Sequence, residues 1–485
     1  MATPEPGFHP RRFAVIGAGG AAGLATLKIA SEELQNHIKA GTCELVGFEQ
    51  REDLGGVWLP DPNPSPLRQK WPDTPLYGSL ITNVPHPIMY YPSYPAPPST
   101  PLFTGARTVN KYLQAYAAHF RLRKYIHFNS RVTAAAWDQS INQWRLAYDV
   151  NGLANCSINV SYFDHLLITT GHRRDPFFPE VLGLDTWASS ESRSYVHSIW
   201  YRNPEPYRGR RVLVIGGGRS GIDINDELAK FAKRTIHSSR SFIDRDFGNT
   251  AQRGPISHFS SDGFVQFING NKENVDRVIF ATGYQYNYDF LTQIPTHNPS
   301  NSSSQLYNSR FHIYPLALHM FPLQASFPPS SLALICATIG VTVFSLAEAQ
   351  ATLAIRQMSG RVSLDFSYEL AEVLNQNERL RHKYDDSAVS VAQEWHRFNE
   401  ETAYDYVDLI WRKALDSQRI PTWKREIMPQ RYTMRAEWHD LERLGLSKAW
   451  VDGVGKDGIQ EWIELMRRVV RRAQGRQHGI VSNSL

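Results

Sequence analysis

Two glycine-rich turns constrain this chain more than any other feature. The first is Gly17-Ala18-Gly19-Gly20-Ala21-Ala22-Gly23-Leu24, after the apolar run Phe13-Ala14-Val15-Ile16. The second is Gly216-Gly217-Gly218-Arg219-Ser220-Gly221, after Arg211-Val212-Leu213-Val214-Ile215. Strand, glycine turn and helix in that order form a phosphate-binding corner. The glycines permit a tight turn, and backbone N–H groups at the helix N-terminus meet a pyrophosphate. Two such corners predict an α/β chain with two Rossmann-like dinucleotide-binding domains, one for a resident flavin dinucleotide and one for a diffusible nicotinamide dinucleotide.

In the first corner the candidate residues are Gly17, Gly19, Ala22 and Gly23, with Ala22 at the usual third position and Gly23 directly after it. The next strand ends in Glu49, whose carboxylate can accept hydrogen bonds from ribose hydroxyls. Its distance from Gly17 exceeds the usual roughly 20 residues, which predicts a long crossover helix. In the second corner the candidates are Gly216, Gly218, Ser220 and Gly221. The following strand ends in Ile236-His237-Ser238-Ser239-Arg240, with no acid for a 2′-hydroxyl. Ser239 and Arg240 suit a 2′-phosphate instead, because a guanidinium presents a charged fork to phosphate oxygens. The expected nicotinamide is therefore NADPH and not NADH.

Other features bound the reading. A length of 485 residues suits two to three domains. The three cysteines, Cys43, Cys156 and Cys336, make neither a disulfide framework nor zinc-ligand spacing, which favours a reducing, cytoplasmic setting. Met1–Arg12 lacks the apolar core of a signal peptide. The apolar run Ser331–Leu346 is too short and too rich in Ser and Thr to span a bilayer, and reads as a buried strand and turn. His382, His396 and His439 have no metal-ligand pairing. The net charge is +5, and the densest basic cluster is Arg467, Arg468, Arg471, Arg472 and Arg476. It reads as a solvated helix face and not a nucleic-acid site, with peripheral lipid contact as the alternative. Proline density predicts ordered loops without helix over Pro60–Pro75 and Pro85–Pro101, and Asn298–Ser304 reads as a surface loop.

The segmentation expected is residues 1–175 for the first part of an FAD-binding domain and 176–277 for an inserted NADPH-binding domain. Residues 278–362 return to the FAD domain, and 363–485 form a helical C-terminal extension. In that extension His396, Tyr404, Tyr406 and Trp411 read as core packing.

Several ordered motifs carry a family resemblance over about residues 12 to 360. Leu54-Gly55-Gly56-Val57-Trp58 follows Glu49-Gln50-Arg51. Then come Tyr77-Gly78-Ser79-Leu80-Ile81-Thr82-Asn83-Val84-Pro85, Met89, Tyr91-Pro92 and Tyr94-Pro95. Tyr112-Leu113 with Tyr116 and Phe120 follows, then Thr170-Gly171, Ala281-Thr282-Gly283-Tyr284 and Glu348-Ala349-Gln350-Ala351. These segments closely resemble the flavin-containing monooxygenases, the class B N- and S-oxygenating family. The family's linking motif Phe-x-Gly-x-x-x-His-x-x-x-Tyr/Phe is matched in its second half by His197, Ser198 and Tyr201. Glu191 and Arg193 replace its Phe and Gly. Tyr201 at the last position resembles the N/S-oxygenating branch, whereas the Baeyer–Villiger branch carries Trp-Pro.

The resemblance implies FAD and NADPH as cofactors, O2 as co-substrate and a small soft nucleophile (sulfide, thiol or amine) as acceptor. NADPH reduces FAD, O2 adds at flavin C4a to give a hydroperoxide, and the nucleophile takes its distal oxygen. The protein's part is positioning, hydrogen bonding and exclusion of water. It further implies Asn83 as the catalytic amide beside the flavin, and cofactor contacts from Gly56, Val57, Trp58, Thr82, His197, Ser198, Thr282 and Gly283. A helix beginning near Ser345 would direct its N-terminus at the flavin's pyrimidine edge. The rival readings are a Baeyer–Villiger or N-hydroxylating flavin monooxygenase, and a degenerate, non-catalytic flavoprotein.

Overall fold

The computed structural model describes residues 11–61, 64, 70–150, 158–300 and 305–477. Cys156, the start of the chain through Pro10, most of the 62–69 proline segment and residues 301–304 of the Ser/Asn loop lie outside the described residues. The chain divides into two compact units. The first holds the residues up to Leu59, Ile81–Gly171 and those from Tyr286 onward; the second holds Pro60–Leu80 and His172–Gln285.

The first unit is built on a five-stranded sheet. Its strands run Ile126–His127, Cys43–Phe48, Arg11–Ile16, His165–Ile168 and Leu332–Leu334 in spatial order, all parallel. Phe13 to Ile16 are buried without alternation, as a strand covered on both faces requires. The Ala21–Glu33 helix follows the first glycine turn, and every residue from Ala22 to Ala30 is buried. Its small residues let it sit between the sheet and the Val343–Met358 helix, which is buried over most of its length. A three-stranded antiparallel sheet, Ser130–Asp138, Gln143–Val150 and Asn159–Phe163, is inserted before the fourth strand of the chain order.

The apolar run 331–346 contains the expected strand, Leu332–Leu334, but its end is not a turn. A helix already begins at Val343, two residues before the expected start. Burial of both elements hides the change, because neither a strand nor a helix buried on all sides shows periodicity. Pro85–Pro101 likewise contains a short helix, His86–Met89, where none was expected. Pro87 sits in its first turn, where the missing N–H has no helical partner to lose.

The helical tail belongs to the first unit. Asp365 caps the Phe366–Lys383 helix through the N–H groups of Ser367 and Tyr368, and Asn399 caps Glu400–Lys413 in the same way. Tyr404, Tyr406 and Trp411 are buried. Arg356 joins Glu33 to Asp416, tying the tail to the dinucleotide helix. The basic cluster is neutralised within the fold. Arg467 pairs with Glu426, Arg471 with Glu464, Arg472 with Glu437 and Arg476 with Asp440, while Arg468 lies over the Trp450 ring. Among the described residues no helix is long and apolar enough to cross a membrane. None of their acidic, His and Cys side chains is grouped to hold a metal ion.

The second unit has a six-stranded sheet in the order Arg245–Phe247, Thr250–Arg253, Arg234–Ser238, Arg211–Ile215, Arg277–Phe280 and Ser194–His197. Only the first pair is antiparallel. Its boundaries differ from those read off the sequence, since it also takes Pro60–Leu80 and extends to Gln285. Arg202 explains the first difference. Its guanidinium donates to the carbonyls of Asp61 and Thr74, its own carbonyl accepts from Gly78 N–H, and the Tyr77 ring meets Tyr201 edge-on. Asp61, Thr74, Tyr77 and Gly78 are therefore held by this unit, although they are distant in sequence from Tyr201 and Arg202.

Candidate cofactor sites

In the first unit, the turn leaving Arg11–Ile16 is made by Gly17 at φ +87°, where a side chain would strain the backbone and strike Thr170. A Cβ at Gly19 would lie 2.8 Å from a carboxylate oxygen of Glu49. A Cβ at Gly23 would lie 2.4 Å from the carbonyl oxygen of Gly17. The close helix–strand approach therefore falls on Gly23, one residue later than the Ala22 position expected from the fingerprint spacing. The second unit confirms which position that is: at Gly221 a Cβ would lie 2.0 Å from the Gly216 carbonyl oxygen. The first turn holds one extra residue between the two contacts.

Glu49 is buried. One carboxylate oxygen accepts from Gly19 N–H and the other from Arg51 N–H, each at 2.9 Å. Burial pushes its pKa up, opposed by these N–H groups. The Leu54–Trp58 segment closes against the glycine turn. Gly55 N–H donates to Gly19 O at 2.8 Å, and Gly56 approaches so nearly that a Cβ there would lie 2.7 Å from Gly20 Cα. Arg51 braces this segment by donating to the carbonyls of Gly56 and Leu59. Val57 is exposed and Trp58 half-buried against the core. Thr82 is buried: its N–H donates to Thr104 O and its hydroxyl accepts from Thr104 N–H, so the Asn83 side chain next to it stands exposed.

The expected list omitted Arg51, Thr169 and Asn110. Thr169 donates its hydroxyl to Ile16 O and Gly17 O, and Asn110 donates to Leu54 O. Arg51 had a signal, its place two residues after the acid. Thr169 and Asn110 act through tertiary contacts that leave no local pattern.

In the second unit Gly216 has φ +128°, and its Cβ would strike Ala281 O. Gly218 precedes the Arg219–Leu228 helix, and Ser220 lies exposed in its first turn. Ser239 overhangs the turn, since a Cβ at Gly217 would lie 2.5 Å from its hydroxyl oxygen; Arg240 is exposed beyond it. Both lie directly after the Arg234–Ser238 strand. Thr282 donates to Phe177 O, and Gly283 has φ +84°.

His197, expected near the nicotinamide cofactor, bonds to backbone through both ring nitrogens. It is fully buried, its Nδ1 accepts from Ile199 N–H, and its Nε2 donates to Gly283 O at 3.0 Å. Burial pushes its pKa down to about 4, so the ring is neutral and both nitrogens are committed to backbone. It pins the Gly283 loop. Ser198 beside it is buried as well.

Two corners in which Gly17, Gly19, Gly23, Gly216 and Gly221 leave no room for a Cβ fit two dinucleotides. Residues 10–244 and 247–405 match the family model described as flavin-binding monooxygenase-like. The chain belongs to that family. It is an FAD- and NADPH-dependent monooxygenase, an oxidoreductase with two Rossmann-like domains, the second inserted into the first, and a helical C-terminal extension. The monooxygenase is 28% identical over 471 residues to the Arabidopsis thaliana flavin-containing monooxygenase FMO GS-OX-like 9, covering 90% of this chain and 94% of that protein. Its fold is similar to that of S-allyl-L-cysteine S-oxygenase from Allium sativum (TM-score 0.76, 24% identity, 96% and 99% of the two chains). It is also similar to that of a cyclohexanone monooxygenase (TM-score 0.57, 13% identity, 84% and 98%). At these identities the two structural likenesses concern the fold.

Proposed function

We propose that the enzyme transfers one oxygen atom of O2 to a soft nucleophile, with a sulfide as the first candidate, and that FAD is held by the first unit and NADPH by the second. For a sulfide the balance is NADPH, H+, O2 and sulfide giving NADP+, water and sulfoxide. The observation that carries this reading is the exposed Asn83, directly after the Thr82–Thr104 backbone pairing and in the same unit as the Gly17–Gly23 corner. The name of the Allium S-oxygenase supports a sulfur acceptor. Bound FAD would supply the two-electron activation of O2, and NADPH the electrons.

The chain's own residues do the rest. The Gly17–Gly23 turn would present the N-terminus of the Ala21–Glu33 helix to the pyrophosphate, and Glu49, which takes the Gly19 N–H, faces the same corner. Gly56, Val57 and Trp58 close on it. Asn83 can donate and accept hydrogen bonds at the oxygen-transfer locus. In the second unit Gly216, Gly218, Ser220 and Gly221 cradle the other pyrophosphate, with Ser239 and Arg240 at the 2′-phosphate. Thr282 and Gly283 shape the loop that His197 pins.

The reading is tested by mixing the enzyme with NADPH in air-saturated buffer and a panel of sulfides and amines. Sulfoxide or N-oxide in proportion to NADPH consumed is expected. Stoichiometric peroxide with no oxygenated product from any acceptor sinks it, and ester from a cyclic ketone alone moves the enzyme to the Baeyer–Villiger reading. The 2′-phosphate assignment has its own test. Arg240→Ala should raise the KM for NADPH about tenfold or more, the worth of a charge-assisted contact, and leave that for NADH nearly unchanged. Equal effects on the two would remove Arg240 from the site.

A further inference from the structure

We infer that Lys424, in the C-terminal helical extension, is a positioning residue for Asn83, an assignment that rests on the role proposed above for that amide. Asn83 lies on irregular backbone, so its geometry is set by what holds the chain on either side. Upstream the hold is the Thr82–Thr104 pair. Downstream it is the His86–Met89 helix, which is too short to stabilise itself.

Three parts of the tail grip the chain downstream of Asn83, two of them at this helix and one at Ser99. Lys424 Nζ donates to the carbonyl of Ile88 at 3.1 Å. Trp462 meets the buried His86 ring edge-on, with centroids 4.4 Å apart. Ser99 N–H donates to Val454 O at 2.9 Å, and Gly453 N–H donates to the Ser99 hydroxyl. The first contact is the unusual one. Lys424 is only 4% exposed, and burial pushes its pKa down to about 8, opposed by Glu348. A buried ammonium is costly where a methionine of similar length would pack without penalty. What the ammonium adds is a directional bond to a terminal carbonyl that a one-turn helix leaves without a helical partner. Glu348 in turn accepts from the Ser93 hydroxyl, so the 86–94 stretch is held from both the tail and the Val343–Met358 helix.

A small displacement of a positioned group changes the fate of a reactive species far more than it changes binding of the cofactor that forms it. Lys424 therefore governs how electrons from NADPH divide between oxygenated product and peroxide.

The test uses the full-length, FAD-loaded enzyme with Lys424→Met, Lys424→Arg and, as a tail control away from the contact, Leu441→Ala. Amide hydrogen exchange is the first readout. Lys424→Met should speed exchange at Asn83 to Tyr90 about tenfold and leave the Ala21–Glu33 helix unchanged. Peroxide released per NADPH oxidised is the second readout. It should rise roughly fivefold in Lys424→Met with the KM for NADPH unchanged, recover substantially in Lys424→Arg, and stay at the wild-type value in Leu441→Ala. Unchanged exchange in Lys424→Met overturns the inference, and so does faster exchange with wild-type coupling. Equal uncoupling by Leu441→Ala reduces Lys424 to general support of the tail and overturns it too. Should Lys424→Met fail to retain FAD, Trp462→Phe is read in its place: slower but measurable loosening of Asn83 to Tyr90 is expected, and none overturns the inference. If the wild-type enzyme oxygenates no acceptor, the proposed function fails on that result alone, before any variant is compared.

Discussion

Gly23→Ala is expected to strip FAD from the protein, whereas Ala22→Gly should leave it bound. The fingerprint spacing alone predicts the reverse emphasis, because Ala22 occupies the customary third position. The geometry decides otherwise. At Gly23 a methyl group would sit 2.4 Å from Gly17 O and 2.6 Å from Ala18 Cα, and both contacts are backbone that cannot rotate away. The helix would have to leave the strand. Gly17 cannot give way, because its φ of +87° and the Thr169 hydroxyl bonded to its carbonyl already fix it. Overpacking of this kind typically costs about 1–3 kcal/mol of stability. The loss at the site should be larger, because the displaced helix N-terminus carries the N–H groups that face the pyrophosphate. We expect at least roughly a hundredfold weaker FAD retention, about 3 kcal/mol. Ala22→Gly only lowers helix propensity, by about 1 kcal/mol. The ratio of flavin to protein absorbance after gel filtration distinguishes the two. A yellow Gly23→Ala protein with wild-type retention would mean that the turn relaxes and that Gly23 is not the packing position.

That contrast marks how far the sequence could be read. Both corners, the acid at Glu49 and the Ser239-Arg240 end of the second unit follow from local order, because strand, turn and helix each have their own short-range signature. The extra residue in the first turn is invisible to spacing, since Ala22 and Gly23 are both small. Only the neighbouring carbonyl tells them apart. Pro60–Leu80 was assigned with its sequence neighbours, but what it packs on is set by Tyr77 against Tyr201 and by the Arg202 guanidinium. The backbone bonds of both His197 ring nitrogens carried no signal either, because a motif shows that a histidine is present and not which atoms it binds. Lys424 carried no signal at all: a lysine in a helical tail reads as a solvated charge until its burial is seen.

The same burial that hides histidines from solvent makes the fold acid-sensitive, and the expected loss is large. In the first unit, burial pushes the pKa of His86 and of His312 down to about 3, and that of His319 to about 4. All three are nearly inaccessible in the folded state. Their ordinary value in the unfolded chain is about 6.5. Between those limits the unfolded chain binds protons that the folded protein does not, so stability is full above about pH 6.5 and falls as the pH drops below it. At pH 5 each group costs about 2 kcal/mol, or about 6 kcal/mol for the three, comparable with the entire stability of many domains. Glu49 and Glu348 act in the opposite sense, since burial raises their pKa and acid relieves them, but they are outnumbered. His319 adds a geometric reason. Its Nδ1 lies 3.0 Å from Nδ1 of His396, whose Nε2 is directed at Ile313 O. Two facing nitrogens can share one proton and not two, so acid breaks the contact outright. Urea unfolding at pH 7.5 and 5.0 should show a marked fall in midpoint, with His319→Gln reducing the stability difference by about 2 kcal/mol, its own contribution. Equal midpoints at the two pH values would mean that these histidines take up protons in the folded state, through an opening of the His319–His396 region that the packed structure does not contain.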